Sequence, residues 1–340
     1  MQEKKFISIL ISCYNYQDYV KRCLDSCKNQ TFKDIEIIIV DDASIDNSAS
    51  VIEAYIRDNK ETDIKFIKLE KNGGPAVAKG TALKNATGEY VIFVDCDDWM
   101  DKNCLEILAK RAKETHADKI RAQVRTVEED TGKIIRERKI PETTNKWAEG
   151  MMAATILKLD FIKKFNISFL NDRTVSDDLY FIAQVNAFAK KTEYIRETVY
   201  NISYKAMSDS GVGNFNKNKK LEYACHTNEK VREIYDTLDE ENQVGCEYLF
   251  AKQYFFLLLQ FSRMLEFKDV KKYHKELRAT IDPFFPKFYN NKNIKFSSNG
   301  DPLLFRWVMK ICALAEKTKM IVPMLRIYWL LARRFNFITR

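Results

Sequence analysis

The chain has 340 residues, of which 46% are hydrophobic and 31% charged, and a formal net charge of +8. That length carries a full core and suits two domains. The positive charge is dispersed, with neither a like-charged tail nor a basic stripe of the kind that marks a nucleic-acid partner. Eight cysteines and three histidines without a C-x-x-C pair argue against a zinc site.

The scatter of those cysteines, and a first strand that starts close to Met1, lead us to expect reduced thiols in a cytoplasmic protein without a targeting peptide. Cys23 and Cys27, one helical turn apart, read as small core residues. No apolar run reaches the ~18 residues that span a bilayer, so a chain that does not cross a membrane is expected.

In chain order, Phe6–Ser12 (FISILIS) is a continuous apolar run, the mark of a strand buried on both faces of a parallel sheet. Tyr16–Gln30 has helical spacing. Glu36–Val40 is the next buried strand, and Asp46 or Ser48 is placed to cap the helix after it. Ile64–Lys68 makes a third strand. Pro75 suits the first turn of a third helix, with Gly88 past its end and Tyr90–Val94 as the fourth strand. This alternation predicts an α/β fold with a mostly parallel sheet covered by helices. Ligands in such sheets sit at the carboxyl ends of the strands. Tyr14, Asp42 and the cluster from Asp95 to Asp98 are predicted to gather there.

Beyond Val124 the pattern loosens. Thr126–Ile135 reads as a hairpin turning at Thr131-Gly132, Met151–Phe165 as an amphipathic helix, Ser176–Lys190 as a second helix and Tyr194–Lys205 as a strand. A Gly/Ser/Asn cluster at Ser208–Asn214 suggests a boundary, giving domains 1–210 and 211–340, the latter mainly helical. Cys246–Leu265 is an apolar helix that reads as core. Met320–Arg340 is basic, aromatic and amphipathic, which fits either an anionic membrane surface or a packing or oligomer helix.

Two nucleotide-binding motifs are missing. No G-x-G-x-x-G follows the first strand, and no P-loop Gly-Lys-Ser/Thr occurs. The apolar run Tyr90–Val94 ends instead in Asp95, Asp97 and Asp98. Carboxylates so close repel unless something screens them. Magnesium or manganese commonly sits between one or two carboxylates and the phosphates of a substrate. A nucleoside diphosphate held through such a cation would account for the cluster.

At this point the sequence resembles a family. Ser8–Asn15, Tyr19–Ser48, Lys71–Asp95 and "DCDDWM" are similar, in order, to the nucleotide-sugar half of the inverting GT-A glycosyltransferases. The closest resemblance is to the bacterial group (glycosyltransferase family 2-like) that builds surface polysaccharides, teichoic acids and glycolipids. It extends over about Lys5 to Ser210. The resemblance implies a UDP-sugar donor, with Tyr14 near the base, Asp42 on the base edge, and Gly73, Gly74 and Lys79 near the diphosphate and base. It implies Asp95 near ribose, and Asp97 with Asp98 toward Mn2+ or Mg2+. It also implies Asp178 as the base that takes the acceptor proton, with Asp177 beside it near the sugars. The acceptor implied is a surface glycan or lipid-linked saccharide, met in the cytoplasm or on the inner face of the membrane.

The sequence departs from the family at several points. Lys79-Gly80 stands where Arg-Asn is usual, Asp177 where Glu is usual, and Gln260–Met264 only approximates the Q-x-x-R-W motif of processive members, so transfer of one sugar is expected. Plainer readings stay open beside these. Asp41, Asp42 and Asp46 could form a turn and a cap, Asp95–Asp98 a solvated loop, and Asp177 and Asp178 ordinary first-turn acids. His116, His226 and His274 read as surface residues. Two other functions also fit the sequence: transfer to a polyprenyl phosphate, and a non-catalytic nucleotide- or glycan-binding module.

Overall fold

The computed structural model describes residues 4–142, 144–148, 150–170, 177–204, 217–262, 265–295 and 301–334. It divides into two compact units, Met1–Ile140 with Met151–Ser208, and Pro141–Gly150 with Asp209–Arg340.

The first unit is built on a nine-stranded sheet. Four parallel strands come first, β1 (Ile7–Cys13), β2 (Ile35–Asp41), β3 (Ile64–Lys68) and β4 (Tyr90–Asp95), in the order β3-β2-β1-β4. Ile9, Ile11, Ile37, Ile39 and Ile92 form one buried face against α1 (Val20–Lys28), α2 (Ser48–Asp58) and α4 (Cys104–Thr115). Cys23 and Cys27 are in that core. On the other face α3 (Pro75–Lys84) packs along β1 and α6 (Asp177–Phe188) beside it. Residues two apart on a strand share a face, so burial of both faces needs the uninterrupted apolar runs seen in the sequence.

Register fixes what lies at the top of the sheet. Cys13 pairs with Asp41, and Ser12 with both Val40 and Asp95, so three strands end at one level. The residues that follow, Tyr14, Asp42 and Cys96 to Asp98, necessarily start from the same edge.

Past β4 the sheet becomes mixed. It runs through β8 (Thr155–Lys158), β6 (Lys119–Glu128), β9 (Thr192–Tyr204) and β5 (Trp99–Met100), with β7 (Ile134–Arg138) hairpinned on β6. Here one expectation fails. Met151–Phe165 is not one amphipathic helix: Thr155–Lys158 is a strand between β4 and β6, and only Leu159–Lys164 (α5) is helical. Ile156 pairs with both Ile92 and Ile120, and the ladder on each side outweighs a helical spacing of apolar residues. Neither Asp46 nor Ser48 is the N-cap of α2: that position is Asn47, whose side chain makes no cap bond, and Asp46 just before it accepts the Ser48 amide on Oδ1 at 2.9 Å.

Gly88 lies past the end of α3, as expected, and is a point of close approach. Helix α3 ends at Lys84, and the Gly88 amide donates to Ser8 Oγ at 2.9 Å and to buried Glu36 at 3.2 Å. A Cβ at Gly88 would lie 2.7 Å from the Ser8 amide nitrogen, which belongs to a central strand and has no room to move. Gly88→Ala is therefore expected to destabilise the protein by about 3 kcal/mol, read as a fall in urea midpoint.

The second unit is helical: α7 (Lys217–Tyr235), α8 (Glu240–Ser262), α9 (Phe267–Ile281), α10 (Leu303–Lys317) and α11 (Ile321–Arg334). Trp147 of the Pro141–Gly150 segment lies so close to Gly245 of α8 that any Cβ there would meet its ring at 2.1 Å. Helix α8 is core, as its composition predicts, with Leu249, Phe255 and Leu258 buried. His274 is not the surface residue expected, since its Nε2 meets nearly buried Glu316 at 2.8 Å. Among the described residues no helix is long and apolar enough to cross a membrane. The expected linker Ser208–Asn214, Ser176, and residues 263–264 of the Gln260–Met264 motif lie outside the described residues.

Candidate active site

The loops after β1 and β2 are laced together. Asn15 donates its amide to Ser44 Oγ at 3.0 Å and accepts the Ile45 amide at 2.9 Å, while the Gln17 amide reaches Asp46 at 3.2 Å. Asn15 and Ala43 sustain left-handed backbone (φ 59° and 56°) that these bonds hold in place. Tyr14 stands on this platform with its ring partly exposed.

Asp42 is only 2% exposed, and its two oxygens accept the amides of Gly73 at 2.7 Å and Gly74 at 2.8 Å. Two backbone donors on one carboxylate make a strong, directional clamp. Gly74 has φ 89°, and a Cβ on Gly73 would meet Val77 at 2.8 Å, so the loop has its shape because both residues are glycine. Asp42 thus visibly fixes the entry to α3.

One turn into α3 lies Lys79, 7% exposed. Its Nζ is 3.1 Å from Asp95 Oδ1 and 3.0 Å from Asp178 Oδ1. Burial works against the ammonium, but Asp178 and then Asp95 outweigh it and raise the lysine's pKa above the ordinary value, so it stays charged. Asp95 and Asp178 are each about half exposed, and the buried ammonium underlies both. Asp178 is held there because Phe181, one turn later on α6, stacks on Phe169 at 4.3 Å and meets Phe93 of β4 edge-on at 5.6 Å. The side chain of Asp177, the other acid expected at this helix start, lies outside the described residues.

The remaining acids crowd the β4–β5 turn. Burial, and then the charge of Asp95, push the Asp97 carboxyl up to about 6. Burial with Asp95 and Asp97 drives Asp98 well above the usual carboxylate range, although it accepts the Ser203 amide at 2.8 Å and bonds the Tyr200 side chain. Asp98 is thus turned toward β9. Cys96, between the acids, is a buried thiol pushed up by burial and remains neutral. Among the described residues no three His, Cys, Asp or Glu side chains form a ready cage for a metal. The turn nevertheless fits a hard divalent cation: its donors are carboxylate oxygens whose mutual repulsion a cation would relieve, and a cation bridging to phosphates needs only one or two of them.

The raised Asp97 value has a definite sign. The native protein holds a proton that the unfolded chain releases between pH 4 and about 6, so this group's contribution to stability falls as pH rises through that window. Asp97→Asn is expected to raise the thermal midpoint at pH 7 by a few degrees, corresponding to about 2 kcal/mol, and to leave it unchanged at pH 4.

The sequence did not point to Arg22. Its guanidinium forks onto Glu129 at 2.7 and 3.0 Å, donates to the Asp97 carbonyl at 2.6 Å, and lies 4.1 Å from the Trp99 ring centre. Ser203 Oγ donates to the same Glu129 at 2.5 Å. This clamp ties the acidic turn to the ends of β6 and β9. Tyr16 also went unmarked; burial and then Asp97 push its phenol up, so it stays neutral beside the turn. Local patterns carry no signal for a pair 107 residues apart.

Residues 8–190 match the family model described as Glycosyl transferase family 2. The chain belongs to this family. It is a glycosyltransferase with the GT-A fold, related to the teichoic-acid enzymes. Glycosyltransferase GlyG of Streptococcus pneumoniae is 30% identical over 217 residues, covering 58% of this chain and 70% of GlyG. GlyA of the same organism is 38% identical over 113 residues, a third of this chain but only 16% of GlyA's own length. The family 2 fold is shared with a solved fragment of S. aureus TarS, residues 1–349, in complex with UDP-GlcNAc. That match has a TM-score of 0.71 at 20% identity and covers 97% of this chain and 92% of the fragment.

Proposed function

We propose that the protein moves one sugar from a UDP-sugar to an acceptor hydroxyl, with inversion, in a single displacement assisted by Mn2+ or Mg2+. The observation that carries this reading is the Lys79 ammonium joining Asp95 at the end of β4 to Asp178 at the start of α6. Acids 83 residues apart (178 minus 95) share one buried cation, which independent turn or cap acids have no reason to do.

In this reading Tyr14 covers the base, the loop clamped by Asp42 presents Gly73 and Gly74 to the base and diphosphate, and Asp95 meets the ribose. Asp97 holds the metal, with Asp98 behind it bracing the turn. When bound, the cation neutralises charge that grows on the leaving diphosphate. Lys79 orients Asp178 through one carboxylate oxygen. The other oxygen takes the proton of the acceptor hydroxyl as the acceptor oxygen bonds to the anomeric carbon. The bond from that carbon to the diphosphate breaks, and its electron pair leaves with UDP. Asp177 lies beside the sugars.

For the acceptor we propose a surface glycan or lipid-linked saccharide reached from the cytoplasmic side. TarS is named a poly(ribitol-phosphate) beta-N-acetylglucosaminyltransferase, and a net charge of +8 suits an anionic acceptor of that kind. The direct test is UDP release by the purified protein across a panel of UDP-sugars with and without Mn2+. Cation-dependent release from one sugar is expected. Failure of every UDP-sugar, alongside turnover of a GDP-sugar, would sink the donor assignment.

A further inference from the structure

Nine of the thirteen large apolar side chains that are exposed among the described residues lie between Leu303 and Leu331. Eight of them fall on two consecutive helices of the second unit, and the ninth, Met320, lies in the connection between these helices. On α10, Leu304, Ile311 and Leu314 recur at intervals of seven and three, which puts them on one face. On α11, Leu330 and Leu331 follow Ile327 by three and four residues and share its face. These six are between 47% and 77% exposed, although both helices also bury an opposite face through residues such as Met309, Cys312 and Leu325. A helix apolar on two faces has one face for its own core and one for something else.

The charge around the stripe identifies what that something is. Lys317, Lys319 and Arg326 are exposed on and between the two helices. From Lys317 to Arg340 the sequence has six basic residues (Lys317, Lys319, Arg326, Arg333, Arg334, Arg340) and no acid. The one acid of α10, Glu316, is turned inward, its side chain 5% exposed against His274 and Arg278. A second copy of the chain docking here about a twofold axis would set these cations against one another with no exposed acid from either helix to answer them. A bilayer rich in anionic lipid answers both features at once, with hydrocarbon for the stripe and phosphate for the rim.

We propose that α10 and α11 form a docking surface for an anionic lipid bilayer, lying in its interface rather than crossing it. This inference does not rest on the donor or on the role of Asp178. The test is sedimentation of the full chain with phosphatidylcholine vesicles, with and without about one-third phosphatidylglycerol. Binding only to the anionic vesicles is expected, and it should weaken as salt rises from 0.1 to 0.5 M. Leu304→Ser with Leu314→Ser should weaken binding at least about tenfold, and Lys319→Glu with Arg326→Glu at least about twentyfold, since each cation near such a surface contributes about fivefold. Ile134→Ser, at a half-exposed apolar residue of the first unit, should change nothing. All of these positions are on the surface, so thermal midpoints should match wild type and separate lost docking from lost folding. Equal binding to neutral vesicles, or no binding to either, overturns the proposal. So does a dimer in solution that the leucine variants disperse, since the face would then be a contact between copies.

Discussion

Asp178→Asn is expected to lower the rate constant for sugar transfer by about 10³-fold while leaving UDP-sugar affinity within a few-fold of wild type. Asparagine keeps the shape of the side chain and can still accept a hydrogen bond from Lys79, so the site should stay assembled. What it lacks is the ability to take a proton from a hydroxyl as that oxygen becomes a nucleophile. A paired measurement separates these effects: initial rates with saturating acceptor, and calorimetric titration of donor in the presence of Mn2+. An unimpaired variant would remove Asp178 from the base role. It would also favour an acceptor whose oxygen is already ionised, such as a polyprenyl phosphate, because that acceptor has no proton to give up.

The parallel half of the fold was legible because its signals are local. Ile37–Val40 and Tyr90–Val94 are unbroken apolar runs, as suits strands buried on both faces. The polar residues that end those runs were legible for the same reason, and the register of β1 with β2 and β4 brings them to one edge. β8 was not legible. Four residues, Thr155–Lys158, carry too little pattern to outweigh the helical spacing around them, and only the strands on either side make them a strand. Asp42 was seen as important, but the two glycine amides it accepts belong to a loop 31 and 32 residues away. Arg22 looks from the sequence like any basic residue on an amphipathic helix, and its fork onto Glu129 exists only once β6 is folded. Lys79 stands where arginine, with its bidentate fork, is more usual. In the structure it is a compact ammonium bridging two carboxylates, which a point charge with several donors does well.

That bridge gives the second large effect. Lys79→Met replaces the ammonium with an apolar chain of similar length and leaves Asp95 and Asp178 facing each other across the space it vacates. Because both acids are about half exposed, water can answer part of the lost charge. The stability cost is therefore expected at about 1–2 kcal/mol, below the range for a fully buried pair. Activity should suffer far more, by about 10²-fold or greater, because the proposed base and the proposed donor-binding acid lose their common anchor and a 1 Å displacement at a reacting centre is worth that much. The discriminating measurement is the double-mutant cycle with Asp178→Asn. If Lys79 acts through Asp178, adding the methionine to the asparagine variant should cost little further activity, and the two losses should fall well short of their product. Full multiplicative losses would mean that the lysine and the aspartate work independently. The ion pair would then no longer support one site shared by Asp95 and Asp178.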